Sequence, residues 1–424
     1  MYLVSRVLLT LVVMIALFTT GCKKETTSPA ATAPRTSTSS SSEHDSPLLH
    51  INKSAAASSI RPTAIPPAPA PNAKAFVLMD AESGAILAEH NSNERLEPAS
   101  LTKLMTAYIV FDALKIGKLK LSDTITISEH AWKTGGAATD GSTSFLPIGA
   151  KVPADILIQG MIVQSGNDAA IALGEHIAGN EDTFAQLMRE YAQRLHMDNS
   201  SYGNASGLPS PLGYSTAHDL ALLSQALVRD FPEYYHYFAE REFTYNNTVQ
   251  HNRNGLLERD SSVDGIKTGH TDAAGYCLIS SAKRTGMRLI SVVMNTPSFK
   301  AREDGSLALL NYGFSFYQTL PVLTKGQVLK STVVRKGVEN VIAAIPSSDI
   351  TVTIPRGREA DVKAEVSLPN ILIAPLNHAT AIGSVTLTLD GNSLGTYDVY
   401  PAHDVVQAGI IGRTIDSIRM LFSH

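Results

Sequence analysis

Residues 98–103 read Pro-Ala-Ser-Leu-Thr-Lys and place Ser100 three positions before Lys103, at the start of a segment with helical spacing. Side chains three positions apart share one face of a helix, so the hydroxyl and the amine can meet. A serine needs an adjacent base to act as a nucleophile, and a lysine can be that base when burial or a nearby cation lowers its pKa. The spacing predicts a serine–lysine pair, although it is also typical of a helix cap followed by a surface lysine.

Two more polar motifs follow along the chain. Ser165, Gly166 and Asn167 lie between two helical runs, which predicts a tight turn. The hydroxyl of this turn can relay a proton and its amide can hold a substrate, whereas a capped, helix-breaking turn is the plainer interpretation. Residues 267–269 read Lys-Thr-Gly on a predicted strand, where a lysine and a hydroxyl suit a bound carboxylate and backbone N–H groups suit an oxyanion.

Three decoys must be separated from these motifs. The S-x-x-K spacing recurs at residues 280–283, within a predicted strand to which we assign no chemistry. Residues 133–135 repeat Lys-Thr-Gly, and we assign them to a Gly- and Thr-rich loop. Residues 391–395 fit G-x-S-x-G, but that motif needs a helix after it, and strand-like runs on both sides predict a hairpin turn instead.

The order of the three motifs resembles that of class A β-lactamases and penicillin-binding proteins. From about Ala75 to its end the chain is similar to low-molecular-mass penicillin-binding proteins, the serine-type D-alanyl-D-alanine carboxypeptidases, with further support from residues 164–169, 251–257 and 263–271. The resemblance implies an α+β (α/β layered) β-lactamase/transpeptidase-like catalytic domain with an antiparallel sheet and helices. A small all-β sandwich and an amphipathic anchor are implied after it.

The resemblance also implies a penicillin-sensitive acyl-enzyme mechanism that needs no metal or cofactor. Ser100 attacks the penultimate D-alanine carbonyl of a peptidoglycan stem peptide ending in D-Ala-D-Ala, and Lys103 accepts its proton. Ser165 passes a proton to the leaving D-alanine, while Asn167 orients Lys103 or the substrate amide. β-Lactam antibiotics are expected to acylate the same serine.

The terminal carboxylate of the substrate is assigned to the third motif and its surroundings. Lys267 attracts it, Thr268 donates to it, and Gly269 allows close approach. Lys267 is also expected to lower the pKa of Lys103. The backbone N–H groups of Ser100 and His270 are implied to form the oxyanion hole. Arg253 either helps to bind the carboxylate or forms a structural salt bridge.

Composition limits the other possibilities. The chain has 424 residues, a formal net charge of −4 and 44% hydrophobic residues, so neither nucleic-acid binding nor whole-chain disorder is indicated. Its two cysteines, Cys22 and Cys277, exclude a disulfide scaffold and a zinc site of several thiolates. We interpret Cys277 as a small buried apolar residue rather than a nucleophile.

The N-terminus predicts export to the bacterial periplasm and cell envelope. Residues 1–22 combine a basic start, a short apolar run and a small residue before Cys22, which is typical of a secretory signal with a lipoprotein-like cleavage site. An uncleaved membrane anchor is the alternative. Residues 23–73 are mostly Ser, Thr, Pro and Ala and predict a disordered linker.

The remaining chain divides into three predicted parts. Residues 74–320 have strand-like ends around a helical middle and form the catalytic domain, and residues 321–404 contain short alternating strands of a β-sandwich. Residues 405–424 predict an amphipathic helix, which either lies on a membrane surface or packs on the β domain. The N-terminal lipid and this helix make the membrane an expected partner.

Other function classes remain as alternatives at this point. A β-lactamase needs fast deacylation, for which no glutamate can be assigned. A DD-endopeptidase or transpeptidase shares the acylation step but uses a different substrate or acceptor. A non-catalytic cell-wall binding protein is disfavoured because all three motifs are intact.

Overall fold

The computed structural model describes residues 65–421. The predicted export segment 1–22, its lipidation candidate Cys22 and most of the predicted linker lie outside the described residues. Within the described range, no helix is both long and apolar enough to cross a membrane.

The strands of the N-terminal part form one five-stranded antiparallel sheet and two short pairs. In chain order they are β1 (Ala75–Asp80), β2 (Ile86–His90), β3 (Thr124–Thr126), β4 (Lys151–Pro153), β5 (Glu242–Tyr245), β6 (Thr248–His251), β7 (Val263–Thr271), β8 (Gly275–Arg284) and β9 (Met287–Thr296). The main sheet has the order β2-β1-β9-β8-β7, so β7 is an edge strand.

Helices cover both faces of this sheet. They are α1 (Lys103–Lys115), α2 (Glu129–Gly135), α3 (Ala154–Ile162), α4 (Asn167–Ala178), α5 (Glu181–Arg194), α6 (Ala217–Asp230), α7 (Leu256–Arg259) and α8 (Phe299–Phe316). Strand β1 shows the layering, since Val77 and Met79 lie in the core with α1 and α6, whereas Phe76 and Leu78 lie in the core with α8. Alternate residues of a strand point to opposite faces, so one apolar strand serves both cores. The predicted α+β layered catalytic domain is confirmed.

The C-terminal part is β-rich, as predicted. Its strands are β10 (Tyr317–Leu323), β11 (Lys330–Arg335), β12 (Val341–Pro346), β13 (Ile350–Pro355), β14 (Val362–Ser367), β15 (Ile371–Ile373), β16 (Gly383–Leu389) and β17 (Asn392–Pro401). Six of them form a sheet of order β14-β16-β17-β12-β11-β15, and β10 pairs with β13. Helix α9 (Ile410–Leu421) follows.

Three details differ from the sequence predictions. The β-rich part begins at Tyr317 rather than at 321, because β10 directly follows α8 and pairs with β13. The C-terminal helix begins at Ile410 rather than at 405, and Val405 instead bridges to Leu376. Residues 133–135 are the last residues of α2 rather than part of a loop, because the helix that Ser128 caps extends through them.

The end of the predicted linker is packed rather than disordered. Residues 65–71 have no regular secondary structure, yet Ile65, Ala68 and Ala73 pack against the core under α8. Tyr312 of α8 donates a hydrogen bond of 3.1 Å to the carbonyl of Pro66. Prolines restrict the backbone of this segment, so ordering it costs less entropy than ordering an ordinary tail.

The other two decoys are structural, as predicted. Ser280 and Lys283 both lie in β8, and the Ser280 side chain is fully buried. Residues 391–395 lie at the β16–β17 hairpin, with Asp390 and Gly391 both at positive φ. Neither position offers a nucleophile at a helix start.

Candidate active site

The predicted serine–lysine pair is formed at the start of α1. Residues 99–102 make a 3-10 turn that runs directly into the helix, and the Nζ atom of Lys103 lies 3.0 Å from Oγ of Ser100. Ala99, just before the serine, has φ of +48°, a conformation that L-residues seldom adopt. Ser100 is half-buried, so its hydroxyl remains accessible to a substrate.

Lys103 is enclosed by acceptors. Its side chain is 1% exposed, and Nζ also donates to Oδ1 of Asn167 and to the carbonyl oxygen of Ser206, both at 2.6 Å. Burial lowers the pKa of Lys103 to about 7. Arg253 lowers this pKa further, whereas the charges of Asp168 and Glu181 raise it. A lysine with this pKa is partly neutral near pH 7 and can take a proton.

Two cations interact with Lys103 through their charges, Arg253 and Lys267. Repulsion between two ammonium groups disfavours the charge on both, so the expected effect of Lys267 on the pKa of Lys103 stays a prediction. Lys267 is itself buried, and desolvation lowers its pKa well below the usual value, with Lys103 and Arg253 adding to that effect. Because Lys267 lacks an anionic partner among the described residues, its site favours the arrival of a negatively charged group.

The predicted turn at residues 165–167 lies between α3 and α4. Ser165 has φ of +67°, and its Oγ atom is buried without a hydrogen-bond partner in the described part of the chain. Asn167 is the first residue of α4, and its Oδ1 accepts a hydrogen bond from Nζ of Lys103. The structure thus joins Asn167 to the serine–lysine pair by a direct bond and leaves the Ser165 hydroxyl free to bond elsewhere.

The third motif lies on the edge strand beside the turn that carries Ser100. A Cβ atom on Gly269 would lie 2.9 Å from the carbonyl oxygen of Pro98 and 3.4 Å from Cβ of Ala99. Only a glycine permits this approach, which brings β7 against the turn that carries Ser100. Lys267 and Thr268 are both buried on the same strand, and Nζ of Lys267 donates at 3.4 Å to the carbonyl of Thr268.

His270 lies on β7 itself, and Arg253 lies in the loop before α7. The exposed ring of His270 stacks on Tyr276, with ring centroids 4.1 Å apart. Arg253 is exposed and forms no ion pair within residues 65–421. The structural salt bridge that was the alternative role for Arg253 is therefore not found in the described structure.

Two residues of the site, Ser206 and Arg302, belong to no motif that the sequence analysis identified. The carbonyl of Ser206 binds Lys103, and the adjacent Gly207 has φ of +81°. The only sequence signal was the small-residue stretch 203–207, Gly-Asn-Ala-Ser-Gly. Arg302 of α8 is 1% exposed and donates to the carbonyls of Gly269, at 3.3 Å, and Arg253, at 3.4 Å. The start of α8 is polar, so the sequence pattern there does not distinguish a buried arginine from one on the surface.

Cys277 lies under the third motif as a packed residue. It pairs with Gly269 across the β7–β8 ladder and is fully buried. Burial raises the pKa of its thiol to about 11, so the nucleophilic thiolate is disfavoured. Among the residues that the structure describes, no group of three or more His, Cys, Asp or Glu side chains is placed to hold a metal ion.

Two family models match the chain. The model of peptidase S11, described as D-alanyl-D-alanine carboxypeptidase, matches residues 63–298. The model of the penicillin-binding protein 5 C-terminal domain matches residues 317–407. The two matches coincide with the layered catalytic part and the β-rich part of the structure.

Comparison with individual proteins also finds D-alanyl-D-alanine carboxypeptidases and penicillin-binding proteins. The chain is 42% identical over 365 residues to the D-alanyl-D-alanine carboxypeptidase DacA of Escherichia coli strain K12, covering 85% of this chain and 91% of that one. The crystal structure of penicillin-binding protein 5 from Haemophilus influenzae superposes with a TM-score of 0.77 at 41% identity, covering 81% of this chain and all of that one. Penicillin-binding protein D2 of Listeria monocytogenes, in its ampicillin-bound form, is 30% identical with a TM-score of 0.51, covering 59% of this chain and 100% of that one.

Proposed function

Since the chain belongs to the peptidase S11 family of D-alanyl-D-alanine carboxypeptidases and carries the C-terminal domain of penicillin-binding protein 5, we propose that Ser100 is the nucleophile of its reaction and Lys103 the general base. The chain is a serine-type D-Ala-D-Ala carboxypeptidase of the bacterial cell envelope.

One observation carries the assignment of the base: the three oxygen atoms around Nζ of Lys103. Two of them, Oδ1 of Asn167 and the carbonyl oxygen of Ser206, are acceptors only. A neutral amine has two N–H donors and one lone pair, so both donors are used by these two oxygens. The lone pair then faces the remaining neighbour, the hydroxyl of Ser100 at 3.0 Å. In this state Ser100 donates its proton to the atom that will keep it during attack.

The substrate's terminal carboxylate is assigned to Lys267 and Thr268. Lys267 is a buried amine without an anionic partner in the described structure, so a carboxylate that binds there both pairs with it and stabilises its charge. The exposed Arg253 is a further cation near this site. Its charge lowers the pKa of Lys267 and of Lys103. The peptide thereby lies along the free edge of β7, with its scissile carbonyl over Ser100.

The remaining steps use groups that the site leaves available. Backbone N–H groups of Ser100 and His270 stabilise the oxyanion, consistent with the close approach of β7 to the nucleophile turn at Gly269. The unpartnered hydroxyl of Ser165 relays the proton from Lys103 to the departing D-alanine. Water then hydrolyses the acyl-enzyme. β-Lactams, one of which is bound in the Listeria structure, enter the same site and acylate Ser100.

Helix α9 is proposed to attach the enzyme to the membrane surface. Its Asp416 is 6% exposed and accepts a hydrogen bond of 2.7 Å from the backbone N–H of Lys336 in the β domain. On the other side, Ile411 is 80% exposed and Ile418 51%. Asp416 thus docks the helix on the β domain while the isoleucines face outward, which favours an interfacial anchor over a packing helix. The predicted export signal and lipidated Cys22 agree with this location and stay predictions.

Release of D-alanine tests the catalytic proposal directly. The purified protein is incubated with a peptide ending in D-Ala-D-Ala, and free D-alanine is measured for the wild type, Ser100→Ala and Ser280→Ala. Ser280 is the matched control because it has the same S-x-x-K spacing but lies buried in β8. We expect Ser100→Ala to abolish release and penicillin labelling, while Ser280→Ala retains both.

Retained release in folded Ser100→Ala would refute the assignment of the nucleophile. Equal losses in both serine variants would attribute the effect to folding. A wild type that labels with penicillin but releases no D-alanine would shift the substrate to a cross-linked peptide.

A further inference from the structure

A buried carboxylate lies directly behind the site. Asp168, the residue after Asn167 in α4, is fully buried and has no cationic partner at salt-bridge distance among residues 65–421. Its oxygens accept from Oγ1 of Thr143 at 2.8 Å and from the backbone N–H groups of Ser144 at 2.8 Å, Leu146 at 3.1 Å and Ala169 at 2.9 Å. Four donors thus satisfy the carboxylate oxygens without an ion pair.

These bonds hold a connecting segment, residues 141–146, against the second motif. The N–H of Asn167 donates to the carbonyl of Ser142 at 2.8 Å. A Cβ atom on Gly166 would lie 2.0 Å from Oγ of Ser144, and one on Gly141 2.6 Å from Nδ2 of Asn167. The segment therefore contacts both the backbone N–H and the side-chain amide of Asn167. These close contacts leave little room for Asn167 to move.

The held segment is also strained. Phe145 has φ of +60°, an unfavourable conformation for a bulky residue, and it is 49% exposed. Asp168 binds the N–H groups on both sides of it, those of Ser144 and Leu146. Strain of this kind persists only where surrounding contacts enforce it, and the carboxylate of Asp168 supplies those contacts.

The same carboxylate lies close to Lys103, because the adjacent Asn167 accepts a hydrogen bond of 2.6 Å from Nζ of Lys103. The charged groups that face Lys103 are Arg253, from the loop before α7, and Asp168 and Glu181, from α4 and α5, with Lys267 of β7 close enough to be affected in turn. The charges of Asp168 and Glu181 favour the protonated amine, and Asp168 is the stronger of the two. Burial and Arg253 oppose them.

We propose that Asp168 is a positioning residue with two linked roles: it fixes residues 141–146 against Asn167, and it supplies the negative charge that balances the cations around Lys103. It touches neither substrate nor reacting atoms. This inference rests on the proposed role of Lys103 as the base. Loss of the carboxylate then changes the pH at which Lys103 becomes competent, which a purely structural residue cannot do.

The test is the pH dependence of acylation by a fluorescent penicillin, measured on the full chain for the wild type, Asp168→Asn and Thr143→Val. Removing the negative charge favours neutral Lys103. We therefore expect the rise of the acylation rate with pH, its acidic limb, to have a midpoint lower by about half a pH unit or more in Asp168→Asn. Thr143→Val removes one donor and keeps the charge. Its limb should stay in place, while amide exchange of residues 144–146 becomes faster.

Each outcome has one meaning. If the wild-type acylation rate rises with pH around 7 and the midpoint of that rise is not lower in Asp168→Asn, the charge role is overturned. If the wild-type rate shows no such rise, the result instead counts against Lys103 as the base. If Asp168→Asn does not fold, Thr143→Val still decides the positioning role. Unchanged exchange and an unchanged acylation rate in that variant would overturn it.

Discussion

A Cβ atom on Gly207 would lie 1.9 Å from the carbonyl oxygen of Ala99, so the loop that follows Ser206 is in direct contact with the turn that carries Ser100. This contact explains how a carbonyl more than a hundred residues away in the chain reaches Lys103. The backbone of Gly207 also has φ of +81°, which favours glycine for a second reason.

Gly207→Ala is therefore expected to damage the site more than the fold. The left-handed backbone alone costs about 1–2 kcal/mol for an L-residue, and the clash with Ala99 must also displace the Ser206 carbonyl or the nucleophile turn. Displacements near 1 Å at a reacting group lower rates by about a hundredfold. The measurement is kcat for D-alanine release together with the thermal unfolding midpoint.

Gly286→Ala is the matched control for this variant. Gly286 has a similar φ of +85°, but nothing lies within 4 Å of a Cβ atom placed there. It should show the stability loss without the loss in kcat. Equal effects on kcat in the two variants would contradict the role given to the Gly207 contact.

The activity should depend on deprotonation of Lys103. Burial lowers the pKa of Lys103 to about 7, so the amine is protonated and unable to accept a proton at pH 5 and largely neutral at pH 8. We expect kcat/KM for D-alanine release to rise with pH up to a plateau, with its midpoint near 7. A rate that is flat from pH 5 to 9 would count against Lys103 as the base.

Lys267 should matter for the substrate's carboxylate and not for the fold. In Lys267→Met, kcat/KM for a peptide ending in a free carboxylate should fall by about ten- to a hundredfold, the range for a lost hydrogen bond to a charged group. The preference over the same peptide with a C-terminal amide should largely disappear. Both peptides are compared in one competition assay.

Lys133→Met controls for the loss of a Lys-Thr-Gly lysine. Lys133 lies at the end of α2, 64% exposed, and pairs with Glu129 on the surface. Exposed pairs of this kind contribute little to stability. A preference for the free carboxylate that survives in Lys267→Met would place carboxylate recognition elsewhere, with Arg253 as the next residue to change.

Cys277 should be inert in the folded enzyme. Its side chain is fully buried and burial raises the pKa of the thiol to about 11, so iodoacetamide at pH 8 meets almost no thiolate. In a Cys22→Ser background, mass spectrometry should find Cys277 unmodified until denaturant is added. Rapid alkylation of the native protein, at a rate comparable with free cysteine, would refute the packed assignment.

The outward side of α9 should govern membrane binding. Replacing Ile411 and Ile418 with aspartate should lower co-sedimentation with anionic vesicles by about tenfold or more, because charged side chains replace apolar ones at the interface. The variants are made in a Cys22→Ser background so that no N-terminal lipid contributes. Val249→Asp is the control, since Val249 is 50% exposed but lies on β6 of the catalytic domain. Undiminished sedimentation of the double variant would argue that α9 serves only the β domain.

The local motifs could be found from sequence because their chemistry is local. Ser100 and Lys103 are three residues apart, so helical geometry alone brings them together. The hairpins and apolar strands were likewise predicted from turn residues and from alternation, which act over a few positions. The placement of residues 133–135 was wrong for the same reason, since a Gly- and Thr-rich stretch looked like a loop and the capped helix α2 extended through it.

What the sequence by itself determined is the order of three motifs, and with it the family and the reaction. What only the tertiary structure decided is the environment that makes them work. The charge of Arg253 near Lys103, the Ser206 carbonyl beside the same amine and the Asp168 contacts all join segments far apart in the chain. Burial and electrostatic balance are properties of packed neighbours, which spacing along a chain does not specify.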